Sequence, residues 1–163
     1  MTLKSINPYT GEQIASYKKH TEKELNEILD QSAEAFNKWK KVSINERSKL
    51  MLKAAELLEK NEAKYAKTIT LEMGKPLSES IAEIQKCAWV CRYYAENAAE
   101  FLQSKTIETD AYKSYVRYDP QGTVFAIMPW NFPFWQVLRF AAPTLMAGNT
   151  AVLKHASNVF GSA

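Results

Sequence analysis

From Thr123 to Leu153 the only charged side chain is Arg139. A run of that length is either a membrane segment or the inside of a core. Pro129, Asn131, Pro133, Pro143, Gly148 and Asn149 interrupt it. A lipid-exposed helix broken that often would leave backbone groups unsatisfied in hydrocarbon, so a soluble core is the better reading. Within the run, Thr123 to Met128 is continuously apolar, as expected of a strand buried on both faces of a parallel sheet. Pro129 to Pro133 then forms a stiff loop. Phe134 to Met146 has helical spacing and tolerates Pro143 only with a kink or an early end. Gly148-Asn149 stops that helix, and Thr150 to Lys154 is a second short apolar strand. Strand, helix, strand is the βαβ unit that opens a doubly wound sheet, and the residues up to Ala163 are expected to enter the next helix.

Upstream the periodicity is helical. Thr21 with Glu24 and Ser43 with Glu46 have the spacing of capping boxes. Behind them run two apolar stripes: Leu25, Ile28, Leu29, Ala33, Phe36 and Trp39, then Leu50, Ala54, Leu57, Leu58, Ala66 and Ile69. The second helix is expected to run unbroken to Gly74, where Gly followed by Lys75-Pro76 is a strong stop. A third is expected from about Ser78 to Gln103, with Ile81, Ile84, Ala88, Cys91, Ala95, Ala98 and Leu102 on one face. All three stripes are most simply core-packing faces. Ser5 to Tyr17 reads as extended chain around a turn at Asn7 to Gly11. Thr106 to Asp110 and Ser114 to Tyr118 read as a hairpin, either an oligomerisation arm or a surface hairpin closed on its own chain.

The fold class expected is therefore α/β: an N-terminal helical layer and a β-hairpin arm leading into the start of a Rossmann-like parallel sheet. Three units follow: residues 1–103, the strand and helices; 104–122, the arm; and 123–163, the first βαβ.

Charge narrows the function classes. The 21 basic and 18 acidic residues leave a net charge of +3, mixed along the chain, with no basic block to suggest nucleic acid or an anionic membrane. Cys87 and Cys91 are four apart on one helix face. A zinc site would need two more ligands, and the only histidines, His20 and His155, are far away in sequence. The cysteines read as small core or surface residues of a reduced protein, and with no apolar leader the cytoplasm is the expected location.

Two motifs can carry chemistry. Ile127-Met128-Pro129-Trp130-Asn131-Phe132-Pro133 lies at the carboxyl end of the first buried strand, where open α/β sheets bind ligands. Asn131, stiffened by flanking prolines, is either a hydrogen-bond donor to a carbonyl oxygen developing negative charge or the cap of the next helix. Lys154-His155-Ala156-Ser157 ends the following strand. Lys154 and Ser157 suit ribose hydroxyls or a phosphate, although a solvated lysine at a strand end is common. His155 can in principle be a base, but no carboxylate or nucleophile neighbours it in sequence.

These motifs and their spacing resemble the aldehyde dehydrogenase superfamily. The similarity runs through Ala147-Gly148-Asn149-Thr150-Ala151-Val152-Leu153-Lys154. Upstream it includes Asn7-Pro8-Tyr9-Thr10-Gly11-Glu12 and Leu71-Glu72-Met73-Gly74-Lys75-Pro76. The wording around Trp130 to Gln136 and Lys154 to Asn158 looks most like the succinate-semialdehyde dehydrogenase branch. The resemblance implies an enzyme that oxidises an aldehyde to an acid and passes hydride to NAD or NADP. It implies that Asn131 holds the substrate oxygen. Ile127, Met128, Pro129, Trp130 and Asn131 would line the nicotinamide and ribose path, and Lys154, His155, Ala156 and Ser157 the adenosine ribose. Many NAD-preferring members carry a glutamate where this chain has Ser157, so NADP is expected to be accepted. A homo-oligomer, dimer or tetramer, is implied, and no metal. The family's cysteine nucleophile and glutamate base would lie beyond Ala163, and Cys87 and Cys91 do not match that cysteine. The chain alone is therefore expected to be inactive. The alternative is a non-catalytic assembly module.

Overall fold

The computed structural model describes residues 2–163; Met1 lies outside them. The chain opens with an antiparallel hairpin, β1 (Thr2–Ile6) and β2 (Gln13–Lys18). Its turn is closed by Asn7, whose side-chain oxygen accepts from Tyr9 N at 2.9 Å. Four helices follow: α1 (Glu22–Trp39), α2 (Ile44–Lys60), α3 (Glu62–Met73) and α4 (Leu77–Phe101). Both capping boxes form as the spacing requires. Thr21 and Ser43 accept from the amides of Glu24 and Glu46, whose carboxylates reach back to the cap amides. Gly74 ends α3 at φ +78°, the left-handed conformation glycine tolerates best.

The expected unbroken second helix is instead two. Asn61 interrupts it at φ −106°, ψ 15°, ending α2 and starting α3. Its side-chain nitrogen donates to Leu57 O at 2.8 Å, a local bond that competes with regular helix.

The core lies where α4 crosses α2, α3 and a later helix. On α4, Ile84, Ala88, Cys91, Ala95 and Ala98 are buried as the periodicity predicts, together with Cys87. On α2 the buried set is Met51, Ala55 and Leu58, while Leu50 and Leu57 are exposed. The packing face is rotated by one residue, about 100°, from the expected stripe. The stripe of α1 departs further: only Ser32 is buried, and Leu25 and Leu29 are each 48% exposed.

A short hairpin follows, β3 (Lys105–Ile107) against β4 (Ser114–Val116). Then comes the βαβ unit: β5 (Thr123–Ile127), α5 (Trp135–Met146) and β6 (Thr150–Lys154), with β5 and β6 parallel. Pro143 lies inside α5, and the helix ends three residues later. β5 is not buried on both faces. Ala126 is its one buried residue, and Phe125 is 62% exposed. Val124 and Leu153 are exposed with it, whereas Val152 is half-buried. Two strands are too narrow to cover α1, which explains both departures. α1 is instead tied by polar contacts, Ser32 Oγ to Thr123 Oγ1 at 3.1 Å and Trp39 Nε1 donating to Leu145 O at 2.9 Å. Residues 155–163 form turns rather than the expected helix.

That last segment is fastened by Glu72, a buried carboxylate on α3. It accepts from the amides of Gly161 and Ser162 at 2.7 and 2.8 Å, from Ser162 Oγ at 2.9 Å, and from Ser5 Oγ on β1. No described helix is long and apolar enough to cross a membrane.

Candidate functional site

The parallel register pairs Ile127 with Lys154, so both motifs leave the sheet at its carboxyl end. Met128 N continues the ladder to Lys154 O at 3.1 Å. Beyond it the loop from Pro129 to Pro133 turns into α5. Ile127 and Trp130 are exposed, at 67% and 49%, and Asn131 is exposed too.

Asn131 is not the cap of α5. The free amides of the first turn, Phe134 N and Trp135 N, donate to Glu83 Oε1 of α4 at 2.9 and 3.0 Å. The carboxylate occupies the positive end of the helix, so α5 has no free N-terminus to offer a phosphate. The other oxygen of Glu83 is ion-paired with Lys75, with side chains 1% and 3% exposed. Lys75 Nζ in turn lies 3.7 Å from the centroid of the Phe132 ring, a cation–π contact. Sequence reasoning passed over both residues. Lys75 reads as part of a helix stop, and Glu83 is not singled out by any motif. Their one local signal is a Lys and a Glu interleaved with a helix start, which is common on surfaces.

His155 is buried and grips the same loop. Its Nε2 is 2.8 Å from Pro133 O, and its Nδ1 accepts from Ala156 N at 2.7 Å. A carbonyl can only accept and an amide can only donate, so the ring is the neutral Nε2–H tautomer. Both nitrogens are engaged within the chain. Lys154 and Ser157 are exposed, and Ala156 is half-buried.

A cleft of about 470 Å³ opens beside Asn131, between α4 and the start of α5. Phe132, Trp135 and Gln136 line it from one side, Ala82 and Lys86 from the other. Lys86 Nζ sits 4.3 Å over the Trp135 ring. Glu79 lines the cleft on the side of Lys86, and Arg139, the lone charge of the apolar run, donates to Gln136 Oε1 at 2.9 Å. Neither cysteine reaches this cleft. Both are buried, and burial pushes the Cys91 thiol up to about 11 and that of Cys87 higher still. Thiols held protonated in this way are not nucleophiles at neutral pH. Among the described residues no group of three His, Cys, Asp or Glu side chains is arranged to hold a metal ion.

The chain as a whole is similar to known proteins. The model of the aldehyde dehydrogenase family matches residues 1–163. The chain is 47% identical over 159 residues to a probable succinate-semialdehyde dehydrogenase [NADP(+)] of Synechocystis, covering 98% of this chain and 35% of that protein. It is 43% identical over 162 residues to the succinate-semialdehyde dehydrogenase [NADP(+)] of Mycobacterium leprae, with the same coverage. Among solved structures, succinic semialdehyde dehydrogenase from Streptococcus pyogenes in complex with NADP+ superposes with a TM-score of 0.95 at 36% identity. That match covers 99% of this chain and 36% of that one. An NAD-dependent benzaldehyde dehydrogenase from Corynebacterium glutamicum superposes at 0.91 with 26% identity. The chain thus spans about a third of the length of the relatives it matches. With sequence and fold agreeing from end to end, the chain belongs to the aldehyde dehydrogenase family.

Proposed function

We propose that these residues are the N-terminal part of an NADP-accepting aldehyde dehydrogenase acting on succinate semialdehyde. The observation that carries the reading is the Asn131 loop, exposed at the carboxyl end of β5 and fastened to Glu83 of α4 and to His155 just after β6. NADP supplies the hydride acceptor. The donor set at the strand ends fits its ribose: Lys154 and Ser157 are exposed, and residues 155–163 contain no carboxylate to repel a 2′-phosphate. Ile127 and Trp130 offer an exposed apolar wall on the same side.

Asn131 Nδ2 donates to the aldehyde oxygen as negative charge builds on it, an interaction worth about 3 kcal/mol when the donor is held in place. Among the described residues Lys86 is the one cation that lines the cleft and Glu79 lines it too, so succinate semialdehyde is proposed from the likeness to the succinate-semialdehyde dehydrogenases and not from the cleft's charge. The nucleophile and its base come from outside these residues, so the chain alone is expected to turn over no aldehyde. Exposed Ile107, Tyr115 and Val116 on the β3–β4 hairpin suit an oligomerisation arm.

A hybrid enzyme tests this: this chain followed by the remaining two-thirds of the Synechocystis relative. It should oxidise succinate semialdehyde with NADP+. Asn131→Ala should lower kcat about 100-fold, with a far smaller effect on the affinity for NADP+. Ser157→Glu should weaken NADP+ at least about tenfold relative to NAD+, through like-charge repulsion. Full turnover in the first variant, or unaltered NADP+ affinity in the second, would sink the corresponding assignment.

A further inference from the structure

Asn131 owes its position to neighbours, and those neighbours are held by one buried pair. Glu83 Oε1 receives the amides of Phe134 and Trp135, and its other oxygen receives Lys75 Nζ, which lies over the Phe132 ring. The pair therefore grips the chain at Phe132, immediately after Asn131, and again at the first turn of α5. Stability alone is a weak reason for two charges at 1% and 3% exposure, because apolar side chains of similar volume often serve as well or better. An anion at the helix start and a cation under the adjacent ring fix the direction of the loop in a way apolar packing does not.

We infer that Lys75 and Glu83 are positioning residues of the reaction, which hold the Asn131 loop in its working orientation and act only through it. The inference rests on the oxyanion role proposed above for Asn131. The informative variant is Lys75→Met combined with Glu83→Gln, which removes both charges together and keeps an acceptor for the α5 amides.

In the hybrid enzyme this double variant should lower kcat about 10- to 100-fold, the scale on which small misplacements act, with the KM for NADP+ unchanged. On an Asn131→Ala background it should cost nothing more, because the residue it positions is already gone. Losses that multiply, or wild-type kcat in the double variant, overturn the inference. If Asn131→Ala itself leaves kcat intact, the oxyanion role fails and this inference fails with it. If Asn131→Ala is slow and the double variant fast, only the positioning role fails. A second readout needs no turnover. In the 163-residue chain, the side-chain amide of Asn131 should give one sharp pair of NMR resonances. The double variant should broaden or split that pair while the amides of α2 keep their shifts. An unchanged Asn131 signal overturns the proposal.

Discussion

Gly148 shows how tightly a single position can be specified. It sits at φ +88°, and a Cβ there would press on Arg47 Nη1 and come within 3.3 Å of Pro120 Cβ. Arg47 is a flexible side chain that can shift, whereas the Pro120 ring is rigid. Arg47 Nε and Nη1 are buried and make no hydrogen bond with the described residues, and burial lowers the pKa of the guanidinium. Gly148→Ala should therefore destabilise the chain by about 1–3 kcal/mol, from the conformation and the crowding together. Urea unfolding measures this, and an unchanged midpoint at equal slope would refute it. The glycine is legible in the sequence as a helix stop, but its second constraint is not. Arg47 lies a hundred residues away, and nothing in its own helix announces the contact. The same division runs through the site. Asn131 can be picked out locally, because two prolines and a preceding apolar strand mark the loop. Glu83, 51 residues before the amides it caps, has no local mark at all.

Elements whose signals are local were the readable ones. Capping boxes depend on residues three apart, and α4 has enough length for its buried stripe to stand out. α1 misleads because its periodicity records a face for burial that two strands cannot cover. At its N-terminus, Lys18 of β2 donates to the carboxylate of Glu24, with Thr21 amide and hydroxyl completing the set. Lys18 first, then Thr21, pull the Glu24 carboxyl from an ordinary 4.5 to about 2. A group lowered on folding stabilises above its unfolded pKa, so this tie is complete above about pH 4.5 and is lost as pH falls toward 2. Carbon-detected titration of the Glu24 carboxyl should give a midpoint well below the other exposed glutamates. Lys18→Met should raise that midpoint, and a normal value in the wild type would show that the box does not close.

For the molecule as a whole, exposed apolar residues occur on most elements, and some of them meet in one place. A trough of about 760 Å³ runs between α1 and the sheet, lined by Leu25, Ile28, Phe125, Val152 and Leu153. A connected apolar surface of this kind binds dyes and other chains. The 163-residue chain should enhance ANS fluorescence without denaturant and sediment with a concentration-dependent mass; a dye-silent monomer would contradict this. Glu72 has a different consequence at this scale. Ser5 on the first strand and Gly161 and Ser162 in the last turn share one carboxylate as their anchor. Positions more than 150 apart along the chain are thus clasped in a ring, and force or motion applied at Ser162 is delivered to β1 through one side chain of α3.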